Sequence, residues 1–179
     1  LYINDCVLPV GNLRELKSGA KRADIIVVTK CPEQHSFKKL KEIEQDLNLL
    51  PEQKIYFSKI TYDKIIYGVS ENLPLTYLEN KNFTLVTGIA DSRPLLKFLN
   101  AKQLKFNHKK FSDHHHFTSQ EIDKIKVKYD GITSDKKIVL TTEKDYMRLV
   151  DQISELSYLE IATEFLEGKE RFINDIKSF

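Results

Sequence analysis

The sequence predicts an α/β protein with a mostly parallel sheet and helices on both faces. Three observations carry that expectation. Short β-branched runs are apolar throughout, as strands covered on both sides require; amphipathic stretches of helical period lie between them; and the two kinds alternate along the whole chain. Residues 1–3 read as the end of a strand or loop already under way, as in a piece of a longer polypeptide. Residues 23–29 form the first strand, continuously apolar over Ile25, Ile26, Val27 and Val28. A helix follows over 36–50, where Phe37, Leu40, Ile43, Leu47 and Leu50 recur at three- and four-residue steps and Pro51 stops the run.

Two Tyr- and Ile-rich strands are expected at 54–60 and 63–69. Residues 72–82 read as a connector interrupted by Pro74, and a composition shift there sets the domain boundary, with 1–72 in one domain and 73–179 in a smaller α/β domain. Residues 83–88 are a buried strand ending in Gly88, and Asp91 or Ser92 followed by Pro94 starts a helix. A short strand at 104–106 precedes a histidine-rich loop. Thr118 and Glu121 have the spacing of a capping box, so a helix is expected over 119–129, ending before Gly131. The chain closes with a strand at 137–142, a short helix at 144–150, a strand at 157–161 and a helix at 164–176 with Phe165, Phe172 and Ile176 inward.

Composition narrows the function. With 28 basic against 26 acidic residues the net charge is +2, so no field points to nucleic acid as a partner, and paired lysines such as Lys38–Lys39 and Lys136–Lys137 read as solvated faces. Cys6 and Cys31 stand far apart without CxxC spacing, which fits a reducing compartment better than a disulfide frame or zinc site. No apolar run reaches the roughly 18 residues of a membrane span. The densest chemistry lies in Phe111-Ser112-Asp113-His114-His115-His116-Phe117, which sets a carboxylate beside three of the five histidines. A carboxylate next to histidine can fix its tautomer and raise its basicity, the arrangement needed to move a proton or hold a metal. In a parallel sheet, ligands bind beyond the carboxyl ends of strands, where Gly88, this loop and Thr141-Thr142-Glu143-Lys144-Asp145 should lie.

Five blocks in order resemble the tetraacyldisaccharide 4'-kinase family, the lipid A kinases of Gram-negative bacteria. They are Leu8-Pro9-Val10-Gly11-Asn12-Leu13-Arg14-Glu15, Lys21-Arg22-Ala23-Asp24-Ile25-Ile26-Val27-Val28-Thr29-Lys30, Gly88-Ile89-Ala90, the histidine run, and Thr141-Thr142-Glu143-Lys144-Asp145. The variant Thr29-Lys30-Cys31-Pro32 resembles the Bacteroidetes branch. The resemblance implies transfer of the γ-phosphoryl of ATP, with Mg²⁺, to the 4'-hydroxyl of a tetraacylated glucosamine disaccharide 1-phosphate at the cytoplasmic face of the inner membrane. It implies two α/β/α domains joined by a pair of strands, of which 1–72 would be the later part of a P-loop kinase-like nucleotide-binding domain with linker strands, and 73–179 the smaller domain. The phosphate loop, the metal-binding acids and the segment for peripheral membrane contact lie upstream of this region in the family.

The resemblance also implies residue roles. Arg14 would contact phosphate, because a planar guanidinium neutralises charge spread over transferring oxygens; the residues alone equally allow an arginine paired with Glu15. Glu15 and Lys30 complete the nucleotide- and phosphate-binding set, with Lys30 packing on the adenine or capping the sheet. His114 would pair with a catalytic carboxylate from the other domain and sharpen it as base, with Asp113 as its orienter; no metal ligand is assigned. His115 and His116 rank lower, His116 as a solvated side chain, and Glu143, Lys144 and Asp145 read as a structural network. Two other classes remain: a metal-dependent phosphoesterase of Asp-His-His type, and a noncatalytic α/β binding domain. The kinase reading requires a Gly-x-x-x-x-Gly-Lys-Ser/Thr loop, which none of the 179 residues forms. It therefore predicts that loop upstream of Leu1 in the parent open reading frame, and reading that frame checks it; a frame without the loop rejects the kinase.

Overall fold

The computed structural model describes residues 4–8, 10–11, 13–32, 36–68, 70–131 and 137–178. The expected strand end at 1–3, Pro9, Asn12, Lys136 and the last position of the strand expected at 63–69 lie outside the described residues. The chain forms two compact units, one of Leu1–Thr61 with Thr163–Phe179, the other of Tyr62–Ala162. Compactness divides the chain at two places, after Thr61 and after Ala162. The physical reason is that two strands run on through the divisions: β2 (Lys54–Gly68) starts in the first unit and ends in the second, and β7 (Leu156–Phe165) does the reverse.

In the first unit, β1 (Ile25–Val28) pairs in parallel with the start of β2, from Ile25 opposite Lys54 to Val28 opposite Phe57. Helix α1 (Phe37–Leu47) begins where the Ser36 hydroxyl accepts the Lys39 N–H at 3.2 Å and ends at Asn48, whose left-handed backbone (φ 49°) breaks the helical repeat before Pro51. Leu40 and Leu47, seven residues apart on one face, close a small core with Val28, Cys31 and Phe57. Phe37, expected inside, is exposed with the Lys41 ammonium over its ring. The closing helix α5 (Lys169–Lys177) starts later than expected, because β7 continues to Phe165 and Gly168 turns the chain at φ 70°. Phe165 and Phe172 do pack on Tyr56, whereas Ile176 is exposed. What seats α5 is polar: Asp175 takes the Lys54 ammonium at 2.7 Å and the Tyr56 hydroxyl, and Lys54 foremost holds its carboxyl below the usual range.

The second unit orders its strands β7, β6 (Val139–Thr142), β4 (Asn82–Thr87) and β5 (Lys105–Lys110), all parallel, with β3 (Asn72–Pro74) antiparallel to the end of β2. Side chains alternate across the sheet with period two. Leu85 and Leu140 face one way, onto Leu95 and Leu99 of α2 (Arg93–Ala101); Val86 and Val139 face the other, onto Ile122 and Ile125 of α3 (Ser119–Asp130) and Leu149 of α4 (Glu143–Leu149). Helices on both faces of a mostly parallel sheet are therefore what the chain builds.

Two strand expectations need correction. The two strands expected from residue 54 onward are one strand over Lys54–Gly68, because no glycine or proline between Lys54 and Tyr67 ends the pairing. The expected connector holds β3 and a 3₁₀ turn at Leu75–Leu78 that buries Leu75 and Leu78. Strand β5 runs four residues past Phe106, to Lys110 opposite Thr87. Its Asn-His-Lys-Lys end carries no apolar pattern because β5 is an edge strand, where lysines also discourage pairing with other chains.

Phe83 is fully buried in this sheet, whereas Thr118 only caps α3. Phe83→Ala should cost about 3–5 kcal/mol and Thr118→Ala about 1 kcal/mol, measured by urea unfolding; equal losses would contradict this placement of the core.

Candidate functional site

The parallel arrangement brings the carboxyl ends of β4, β5 and β6 to one side of the second unit. From the end of β5 the chain enters the histidine loop, and the Phe111 N–H donates to the Thr87 carbonyl at 2.7 Å. Phe111 and Phe117 meet edge to face at 5.0 Å with the His115 ring against both, at 4.8 and 5.1 Å. His115 Nε2 lies 3.0 Å from Glu121 Oε2. Glu121 also accepts the Thr118 N–H and hydroxyl, each at 2.9 Å, closing the capping box that starts α3. Thr118 and then His115 drive the Glu121 carboxyl down to about 2. His115 thus stacks and caps, and His116 is exposed.

Between these anchors His114 stands at the tip, in left-handed backbone (φ 57°), with its N–H on Asp113 Oδ1 at 3.1 Å. Helix α4 aims two cations at it. Lys144 Nζ donates to Asp113 Oδ1 at 2.9 Å and lies 3.2 Å from His114 Nε2; Arg148 Nη2 lies 3.1 Å from His114 Nδ1. Lys144 foremost holds the Asp113 carboxyl below its usual range. Beneath them Asp145, fully buried, accepts the Gly88 N–H at 2.7 Å, the Thr142 hydroxyl at 2.9 Å and Arg148 Nη1 at 3.3 Å. A Cβ on residue 88 would come within 3.0 Å of Asp145 Oδ1, which is why glycine follows the strand. Beside it, the buried Thr87 hydroxyl meets His108 Nε2 at 2.8 Å, and burial foremost lowers the His108 pKa.

Of the residues singled out from sequence, Asp113 and His114 come together here. Asp113 Oδ2 is 3.7 Å from His114 Nε2, beyond hydrogen-bond reach, so Asp113 orients the His114 backbone and Arg148 faces the ring. Arg14, Glu15 and Lys30 belong to the first unit. Arg14 follows a tight loop in which Leu13 N–H bonds Cys6 O at 2.9 Å and a Cβ on Gly11 would lie 2.3 Å from that oxygen. Glu15 pairs with Arg22 at 3.1 Å, not with Arg14, and both partners are exposed. Arg14 has no hydrogen bond or ion pair among the described residues. Lys30 sits just past β1 in left-handed backbone (φ 58°), exposed.

Sequence reading missed Arg148 altogether. Its signal was available: Lys144 and Arg148 are four apart on a helix that starts at a strand end, so they share one face. Among the described residues no group of three or more His, Cys, Asp or Glu side chains could hold a metal ion. His114 faces two cations and His115 caps a helix, an arrangement unlike the paired metal ligands of an Asp-His-His phosphoesterase. No helix among the described residues is long and apolar enough to cross a membrane.

Comparison with known proteins matches residues 1–178 to the family of tetraacyldisaccharide-1-P 4'-kinases. The tetraacyldisaccharide 4'-kinase of Flavobacterium johnsoniae is 40% identical over 96% of this chain and 49% of its own length. That of Bacteroides thetaiotaomicron is 37% identical over 84% of this chain and 42% of its own. The crystal structure of LpxK from Aquifex aeolicus, an "apo" form in complex with ATP, superposes with a TM-score of 0.64 at 20% identity, covering 99% of this chain and 49% of that one. The chain spans about half the length of the curated relatives it matches.

The cap supports a pH prediction. Glu121 has its folded pKa lowered from 4.5 to about 2, so its stabilisation is full above the unfolded value and is lost as pH falls through about 2. Glu121→Gln should therefore lower the melting temperature near neutrality, and the gap from wild type should shrink on acidification below 4.5. A gap independent of pH would show that the charge plays no part in the cap.

Proposed function

The chain belongs to the tetraacyldisaccharide-1-P 4'-kinase family, and from that premise we propose that it is part of a kinase acting in lipid A biosynthesis. The reaction moves the γ-phosphoryl of ATP to the 4'-hydroxyl of a tetraacylated disaccharide 1-phosphate: the bond from the γ-phosphorus to the ADP oxygen breaks, a bond to the 4'-oxygen forms, and the hydroxyl proton passes to a carboxylate base. That base, the phosphate loop, the acids that bind Mg²⁺ and the peripheral contact with the inner membrane, at its cytoplasmic face, are assigned to the rest of the protein. In this reading 1–72 is the later part of the nucleotide-binding domain with linker strands, and 73–179 is the smaller domain.

The observation that carries the proposal is the mounting of His114. It stands exposed at the carboxyl side of parallel strands, where α/β proteins bind ligands, on a loop anchored at both ends. A histidine so presented can hydrogen-bond a carboxylate and orient it towards a hydroxyl. Arg14, exposed and without partners among the described residues, has donors to offer phosphate oxygens; Glu15, engaged by Arg22, shapes that corner of the nucleotide site. Lys30, past the end of β1, contacts the adenine.

In the full-length kinase, His114→Ala should lower kcat by roughly 10²–10⁴-fold while leaving Mg-ATP binding nearly intact. His116→Ala should change little. Measuring kcat, KM and melting temperature for both variants decides: equal losses, or losses that follow melting temperature, would make the loop structural and favour the noncatalytic domain.

A further inference from the structure

We propose that Arg148, clamped by Asp145, is a positioning residue that fixes the His114 imidazole as the neutral tautomer with its proton on Nε2. The inference rests on the catalytic reading of His114 and deepens it. Both ring nitrogens face cations, Nδ1 facing Arg148 Nη2 at 3.1 Å and Nε2 facing Lys144 Nζ at 3.2 Å. Guanidinium and ammonium groups only donate, and a neutral imidazole accepts at one nitrogen only, so one of the two contacts cannot be a hydrogen bond.

Rigidity decides which. The N–H directions of a guanidinium are fixed in its plane, and Arg148 is held in that plane by a second bond, Nη1 to Asp145 Oδ1 at 3.3 Å. Asp145 in turn is immobilised by the Gly88 N–H and the Thr142 hydroxyl. The hydrogen that Arg148 points at Nδ1 cannot be turned aside, so Nδ1 must accept. Lys144 ends a flexible stem, already has an ionised partner in Asp113 Oδ1 at 2.9 Å, and can rotate its hydrogens away from Nε2. Asp113 Oδ2, 3.7 Å from Nε2, adds a favourable negative charge on the side where the proton sits. The consequence is chemical. A side chain meant to bond a carboxylate base must present a donor, and Nε2–H is the donor this arrangement leaves at the ring.

The test uses the full-length kinase labelled with ¹⁵N-histidine, at about pH 8.5, where an imidazole is neutral. The His114 ring signals, assigned by their loss in His114→Ala, should show a protonated Nε2 and an unprotonated Nδ1. Arg148→Met should erase that preference, bringing the two nitrogens towards averaged shifts, and lower kcat by about ten- to a hundred-fold without moving KM for ATP, measured well below a melting temperature that falls because Asp145 loses its cation. Lys144→Met should keep the proton on Nε2. A wild-type ring protonated on Nδ1, or a preference that survives Arg148→Met, overturns the proposal. Failure of the underlying reading looks different: the spectra behave as stated, but neither His114→Ala nor Arg148→Met changes kcat.

Discussion

The second unit depends on one buried carboxylate. Removing a charge from water is expensive, and a protein retains such a group only where hydrogen bonds and opposite charge compensate it. Asp145, with none of its side chain exposed, is compensated from three places at once: the Gly88 N–H at the end of β4, the Thr142 hydroxyl at the end of β6, and Arg148 on its own helix. Each partner is held where it is because the carboxylate needs it there. The strand ends and the start of α4 are thereby locked to one another through a group that cannot move without losing all three bonds.

From that base the structure grows outward into solvent by steps. Side-chain exposure rises from 0% at Asp145 to 28% at Arg148 and 70% at His114. An exposed ring gains little order from its own surroundings, so its order has to be borrowed from something buried. The loop is also held from the other side, where His115 and Thr118 converge on Glu121. Neighbouring histidines therefore have different fates. His114 is presented, His115 is consumed by stacking and capping, and His116 is solvated, because backbone direction and local partners, more than residue type, decide what an imidazole does.

The first unit works on a different principle. Its apolar core is small, and α5 is seated by Asp175 bridging Lys54 and Tyr56 as much as by Phe165 and Phe172 on the Tyr56 ring. The Gln53 side chain adds a polar tie, donating to the Ala20 and Ala23 carbonyls at 2.8 and 2.6 Å and so fixing the 3₁₀ turn at Lys17–Arg22 to the start of β2. Arg14 lies between that turn and the tight loop around Gly11, on backbone kept in place from either side.

Much of this was legible in the order of residues. Continuous β-branched runs and helical periodicity gave the α/β class, Thr118 and Glu121 announced the start of α3, and Asp113 and His114 could be named as a pair, because each of these signals is local and spans a few residues. The single strand β2, the polar end of β5 and the exposed Ile176 were not legible. Whether a mixed segment pairs, or an apolar residue is covered, depends on neighbours far away in the chain. The same holds at the site. Sequence placed Lys144 and Asp145 in a polar knot but could not separate them. Only the tertiary structure buries Asp145, turns Lys144 to Asp113 and brings Arg148 to a ring 34 positions earlier in the chain, since a hydrogen bond is a matter of distance and direction in space, which the order of residues alone does not specify.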